Sequence, residues 1–203
     1  MEIEAQEIEK KGWMLPLFIV QFFTWLGFFA LWIYSVPVFT KYIFKVTDSE
    51  SKLYEDGVQW VAYSFAFYSL LASLIAFSIP KLLNYLSVGK LHSIALLIGG
   101  IGMISIYFVL QPMAVFIPFF LIGVAWSSIG NLPYKIIGDN SAEEKISRNM
   151  TLFNFAVVIP QITAAIFLNS ITRRFFHGET IYTIILGGSC LILGSIICFL
   201  FVD

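Results

Sequence analysis

Residues 181–202 read IYTIILGGSCLILGSIICFLFV, a run of 22 residues without a charged side chain. A helix needs about 20 apolar residues to cross a bilayer core about 30 Å thick, so this run is long enough to span a membrane. The whole chain has the same character, since 59% of its 203 residues are hydrophobic and only 12% are charged. Soluble domains carry about 25% charged residues. The composition therefore predicts a membrane protein.

Five more apolar runs of similar length precede this one, separated by charged or proline-containing breaks. All 13 acidic residues fall outside the six runs, which supports their boundaries independently. The 10-residue segments of alternating polarity that mark a membrane β-barrel do not occur. We predict an all-α membrane protein, with a six-helix transmembrane domain at residues 13–203 after a leader at residues 1–12. The predicted spans are Trp13 to Tyr34, Trp60 to Pro80, Leu91 to Leu110, Met113 to Ile137, Met150 to Ile171 and Ile181 to Val202.

Charge and motifs argue against several classes of function. Lys plus Arg total 12 and Asp plus Glu total 13, which leaves no basic surface to neutralise a nucleic-acid backbone. No nucleophile motif, phosphate loop or dinucleotide-binding fingerprint occurs. His92 and His177 have no Cys, Asp or Glu at metal-ligand spacing. We therefore expect no enzyme, no cofactor, no metal site and no nucleic-acid partner.

Polar side chains inside the spans are the best candidates for a binding site, because such groups face a helix bundle or a watery cavity in hydrocarbon. Gln21 and Trp25 lie four residues apart in the first span and so share a helical face. A cavity lining and plain packing explain this pair equally well. Gln59 stands at the start of the second span, where an interfacial aromatic belt is the default explanation for its aromatic neighbours.

The fourth span carries a further polar group around a proline. Asn131 and Tyr134 lie four and seven residues after Ser127, on one helical face. Pro133 is predicted to kink the helix, because proline lacks a backbone donor and crowds the preceding turn. Gly130 lowers the cost of that bend. The kink would free a backbone carbonyl for a ligand or a water.

The fifth span repeats this pattern. Asn154 and Gln161 lie seven residues apart, and Pro160 is predicted to free the carbonyl of Ala156. Kinked helices that line a polar cavity are typical of transporters. Kinks without any function fit the pattern equally well.

Glycines in the third and sixth spans predict close helix packing, and we assign both helices to the scaffold. These glycines are Gly99, Gly100, Gly102, Gly187, Gly188 and Gly194.

Four segments, in chain order, resemble a known transporter family. The run MTLFNFAVVIPQ at residues 150–161 is similar to the eleventh-helix signature of the glycoside-pentoside-hexuronide type of sugar:cation symporter in the major facilitator superfamily, especially the branch of plant sucrose transporters and their bacterial relatives. VQFFTWLGFFALWIYSVPVFTKYIF at residues 20–44 resembles the seventh helix, YEDGVQW at residues 54–60 the approach to the eighth, and GVAWSSIGNLPY at residues 123–134 the tenth. The resemblance extends over residues 13–202.

The resemblance implies a specific architecture and function. Such transporters have twelve helices in two six-helix halves, and the substrate binds between the halves near the midplane. This chain would supply helices 7–12, and its partners would be the bilayer, a sugar, a proton and an N-terminal six-helix half. The membrane-embedded acid and arginine of proton coupling belong to that other half. The resemblance also implies a plasma-membrane location with both termini in the cytoplasm.

The resemblance assigns the polar residues of the spans to the sugar cavity, while the helix-bending residues come from the proline and glycine pattern described above. Relatives usually carry glycines where this chain has Ser147 and Thr151. The resemblance therefore supports conformational gating less well than it supports the other properties of the family. Two other interpretations stay open: a half-size transporter that works as a homodimer, and a membrane scaffold or sensor without transport. The implied cavity residues are Gln21, Trp25, Gln59, Asn131, Tyr134, Asn154 and Gln161, and the implied bending residues are Gly130, Pro133 and Pro160.

Overall fold

The computed structural model describes residues 12–202, which fold into helices and short turns without a strand among them. Six helices in this part of the chain are long and apolar enough to cross a membrane. The prediction of an all-helical, multi-pass membrane protein is therefore confirmed. The predicted leader, residues 1–12, lies outside the described residues except for Gly12, and Asp203 lies outside them as well.

Eight α-helices make up the described chain, and six spans are built from them. The short helix α3 belongs to the turn between the second and third spans, and α5 and α6 together form the fourth span. The helices are α1 (Met14–Val38, continued by a π-helical turn at Phe39–Ile43), α2 (Lys52–Ala76), α3 (Ile79–Leu82), α4 (Val88–Ser105), α5 (Phe116–Ile129), α6 (Leu132–Asn140), α7 (Glu143–Phe175) and α8 (Thr180–Phe201).

Most helices extend beyond the apolar runs that predicted them. The helical backbone continues into the polar interface, where hydropathy no longer marks it. α2 begins eight residues before Trp60 because Ser51 caps it, with the Ser51 hydroxyl accepting a hydrogen bond from the backbone N–H of Tyr54 at 3.3 Å. α7 is 33 residues long and has Glu143 and Glu144 in its first turn, where carboxylates favour a helix N-terminus.

The fourth span consists of two helices, although one kinked helix was predicted. α5 ends at Ile129 with Gly130 as its C-terminal cap, Asn131 adopts non-helical backbone angles, and α6 starts at Leu132. Pro133 therefore lies in the first turn of a new helix, where its missing N–H is not needed. The backbone is irregular at Gly130 and Pro133 as predicted, but the position predicted for Pro133, inside one kinked helix, is wrong, because the chain breaks the helix at Gly130 and Asn131 instead of bending it. Pro160, by contrast, does lie inside the continuous helix α7.

The helices pack in the order α2, α5, α4, α8, α1, α7, so that α2 and α7 lie at the two flanks. Glycines bring the central helices into backbone contact, which confirms the close packing predicted for the third and sixth spans. A Cβ added at Gly188 of α8 would lie 2.7 Å from the carbonyl oxygen of Gly100 in α4. A Cβ at Gly27 of α1 would lie 2.6 Å from the carbonyl oxygen of Gly187. Close approach of this kind is how membrane helices gain packing contacts.

Candidate functional site

A row of exposed polar side chains runs along α7. Ser147, Thr151, Asn154 and Gln161 are all exposed, and their spacing of four, three and seven residues places them on one face of the helix. The apolar residues Val158 and Ala165 lie on the same face and are exposed as well, so four of the six residues in this row are polar. The two amides predicted from the sequence, Asn154 and Gln161, are its central members.

A second exposed row lies on α2, at the opposite flank of the bundle. It contains only small or polar side chains at helical spacing: Gln59, Ala62, Ala66, Ser69 and Ser73. Sequence reasoning singled out Gln59 and missed the other four. The signal was available as a repeat of small and polar residues every three or four positions, but alanine and serine are too common in membrane helices to be distinctive on their own.

α2 and α7 each use only one narrow row of side chains to pack on the bundle. In α2 this row includes Val61, Ser64 and Tyr68, and in α7 it includes Phe153 and Ala164. The polar rows lie on other faces of the same helices and are exposed, so burial of these rows does not hold the helices on the bundle.

The structure brings together Tyr134 and Asn154, two of the residues that the resemblance implied for a sugar cavity. The Tyr134 hydroxyl donates a hydrogen bond to Asn154 Oδ1 at 3.3 Å. The Tyr134 ring also packs edge-on against Phe153, with ring centroids 5.1 Å apart. Because Tyr134 lies in α6, this contact joins the broken fourth span to the polar row of α7.

Asn131 has a structural partner at the helix break. Its Nδ2 donates to the carbonyl oxygen of Ser127 at 2.7 Å, which satisfies one of the last free carbonyls of α5. The Asn131 side chain is exposed. Gly130, beside it, has open space where a Cβ would be. The break at residues 130–131 is therefore loosely packed, whereas Pro133 and Pro160 are buried.

Gln21 is fully buried, and half of its amide is satisfied. Its Oε1 accepts a hydrogen bond from Trp25 Nε1 at 3.0 Å. Its Nε2 and the nearby Thr24 hydroxyl have no hydrogen-bond partner among the described residues. Buried amides nearly always have partners, so an unpaired one marks a place for a water or a ligand hydroxyl.

An aromatic cluster that the sequence did not predict joins α1, α2 and α5. Trp126 packs against Phe28 at 5.1 Å, Trp32 at 5.6 Å and Trp25 at 6.0 Å between ring centroids. Trp32 Nε1 donates to the Tyr68 hydroxyl at 3.2 Å. The members come from three separate spans, and no local sequence pattern predicts the contacts between those spans. The cluster holds Trp25 beside Gln21 with its ring only partly buried.

An exposed ion pair links two helices at one end of the bundle. Lys41 Nζ donates to Glu179 Oε2 at 2.9 Å, and the Tyr42 hydroxyl donates to the same oxygen. The hydrogen bond from Lys41 and then that from Tyr42 lower the pKa of the Glu179 carboxyl below its ordinary value. This pair connects the end of α1 to the start of α8. Among residues 12–202 no group of three His, Cys, Asp or Glu side chains is placed to hold a metal.

Comparison with protein-family models finds no match for this sequence, and comparison with curated proteins finds none either.

Proposed function

We propose that this chain is the C-terminal half of a glycoside transporter of the sugar:cation symporter type, located in the plasma membrane with both termini in the cytoplasm. The observation that carries the proposal is the pair of exposed polar rows on the flanking helices α2 and α7. The resemblance of four segments to the major facilitator superfamily supplies the substrate class and the orientation.

Exposed polar side chains in membrane-spanning helices need hydrogen-bonding partners. An unpaired amide or hydroxyl in hydrocarbon loses its hydrogen bonds to water, at a cost of several kcal/mol per group. Gln59, Asn154 and Gln161 therefore face either a watery cavity or a second bundle. Because the rows lie at both flanks, a second six-helix bundle beside α2 and α7 would enclose a polar cavity between the halves.

The side chains of α6 and α7 suit a sugar. Asn154 and Gln161 each carry both a donor and an acceptor, which matches a hydroxyl that donates and accepts. Tyr134 adds a hydroxyl already hydrogen-bonded to Asn154. No carboxylate lies in these rows, so the acid that couples sugar to a proton would come from the other half.

The two alternatives make different predictions. A half-size homodimeric transporter would pair two copies of these rows and would form a defined dimer that binds sugar. A scaffold or sensor would bind no sugar and would tolerate the loss of Gln161. Dimerisation alone would still leave both copies without an acid in these rows, which favours a separate N-terminal half.

Equilibrium binding of radiolabelled sucrose and maltose to the purified chain in lipid nanodiscs tests the site. We expect Asn154→Ala and Gln161→Ala each to weaken binding by about threefold to tenfold, as the loss of one net hydrogen bond does. Gln111→Ala removes an exposed amide from the turn between the third and fourth spans, outside both polar rows, and is the control, with no expected change. Binding that neither variant weakens would contradict the proposal.

Uptake into vesicles tests the half-transporter claim separately. Alternating access needs a second bundle to move against, so the chain alone should give no sugar accumulation under a pH gradient. Robust pH-driven accumulation by vesicles that contain only this chain would contradict the claim.

A further inference from the structure

α7 has a second exposed face, which is apolar. Leu152, Phe155 and Ile159 lie at helical spacing on this face and are 42%, 61% and 58% exposed. Together with Phe18, Ile19 and Phe22 of α1, they line a groove of about 380 Å³ between the two helices. The groove is made almost entirely of hydrocarbon, in contrast to the polar row on the same helix.

A single cation continues this apolar face toward the end of the helix. Arg148 precedes Leu152 by four residues, Phe155 by seven and Ile159 by eleven, so all four belong to one row. Four residues of helix rise about 6 Å, which places Arg148 one turn beyond the groove. The Arg148 side chain is exposed, and no carboxylate in the described chain, including Glu144, pairs with it.

We propose that this groove binds an anionic phospholipid, with an acyl chain along Phe155 and Ile159 and the phosphate against Arg148. A guanidinium matches a phosphate with two parallel hydrogen bonds, and basic sites between transmembrane helices are suited to anionic headgroups. An acyl chain fits the groove because both are hydrocarbon and the groove opens toward the membrane.

The charge arrangement favours a lipid over a second bundle as the occupant. A bundle that completes a transporter would cover the polar row of Asn154 and Gln161, where its own polar groups find partners. The apolar face needs only hydrocarbon, and Arg148 is the charge of this row that stands next to the groove, at the end that a headgroup occupies; Glu144 lies one turn further out. The inference requires only that α1 and α7 span a membrane, so it does not depend on the proposed transport function.

Native mass spectrometry measures the bound lipid directly. The full chain is reconstituted in vesicles of phosphatidylethanolamine and phosphatidylglycerol in equal amounts and then released in mild detergent. We expect the chain to retain phosphatidylglycerol in preference to phosphatidylethanolamine. Arg148→Gln should lower the retained phosphatidylglycerol about fivefold, as the loss of one net hydrogen bond between the guanidinium and the phosphate does.

Arg174→Gln is the matched control, because it removes the same charge from the last turn of the same helix. It should leave lipid retention unchanged. Both arginines are exposed, and circular dichroism of each variant checks that the helices form. Equal retention of the two lipids by the unsubstituted chain, equal losses in the two variants, or a lipid-free dimer would each overturn the proposal.

Discussion

The four central helices and the two flanking helices of this protein are built from different surfaces. In the most apolar stretch of each central span, 44–50% of the residues are buried inside the bundle, whereas the figures are 22% for α2 and 28% for α7. The central helices meet through glycines, as Gly100 and Gly188 do. The flanking helices instead expose polar rows that contain Gln59 on α2 and Asn154 on α7.

This difference separates stability from function. Lipid tails are as apolar as leucine, so membrane helices associate through close packing and interhelical hydrogen bonds more than through the hydrophobic effect. The central helices have that packing. The flanking helices keep polar rows that stay exposed and, apart from the hydrogen bond between Tyr134 and Asn154, are not part of the packed core, which is the pattern expected of surfaces that bind something else.

The largest effect should come from the core. Gly188→Ala places a methyl group 2.7 Å from the backbone oxygen of Gly100, which cannot yield as a side chain does. We expect a loss of about 2–3 kcal/mol in the free energy of unfolding, the usual cost of overpacking. Thermal unfolding in detergent, followed by circular dichroism, measures it.

Gly138→Ala is the control, because a Cβ there has no neighbour within 4 Å. Alanine is the better helix former, so this variant should be neutral or more stable by up to about 1 kcal/mol. If both substitutions change the free energy of unfolding equally, the core around Gly188 is not packed more closely than the surroundings of Gly138.

A smaller effect should come from a contact between α7 and α8. The hydroxyl groups of Thr172 in α7 and Thr183 in α8 are 2.7 Å apart and buried. Thr172→Val removes this contact and keeps the side-chain shape. The expected loss is about 0.6 kcal/mol, the average for an interhelical hydrogen bond in a membrane.

Thr163→Val tests whether that loss comes from the contact between helices. The Thr163 hydroxyl donates only within its own helix, to the carbonyl of Ile159 at 2.9 Å. Its replacement should leave the unfolding temperature unchanged. If both threonine variants melt alike, the Thr172 contact does not hold α7 to the core.

The smallest effect should come from the exposed pair of Lys41 and Glu179 at the end of α1. The pKa of Glu179 is lower in the folded protein than its ordinary value of 4.5, chiefly because Lys41 donates a hydrogen bond to it. The pairing therefore stabilises the fold above the unfolded-state pKa and is lost as pH falls through the folded-state pKa. Glu179→Gln should lower the melting temperature slightly at neutral pH and not in strong acid.

Glu50→Gln, in an exposed loop, is the control for a simple change of net charge. A difference between Glu179→Gln and the unsubstituted chain that persists unchanged in strong acid would show that the ion pair is not its cause.

Hydropathy predicted the fold because one property, the length of an apolar run, decides whether a helix crosses a membrane. It predicted the ends less well, since the cap at Ser51 and the extension of α7 to Glu143 lie in polar sequence. The sequence did not predict that the irregularity at Gly130 and Asn131 is a break in the helix, because a proline is compatible with either a kink or a new helix start. Only the surrounding packing decides between them.

The candidate site was only partly predictable for a related reason. Asn154 and Gln161 stand out as amides inside an apolar run, whereas only the family resemblance grouped Tyr134 with them. The contacts of Trp126 with α1 and α2 join residues far apart in the chain, and no local pattern encodes them. Whether Gln21 faces a cavity or a neighbouring helix depended on the same long-range packing.

The most direct test of the two-surface account compares neighbouring positions on α7. Single cysteines at Asn154, Phe155, Ile159 and Gln161 are exposed in vesicles to a membrane-impermeant maleimide from either side; the native Cys190 and Cys198 are buried and give a low background. We expect rapid labelling of Asn154→Cys and Gln161→Cys, because these positions face water. We expect little labelling of Phe155→Cys and Ile159→Cys, because these positions face lipid. Equal labelling of all four positions would contradict it.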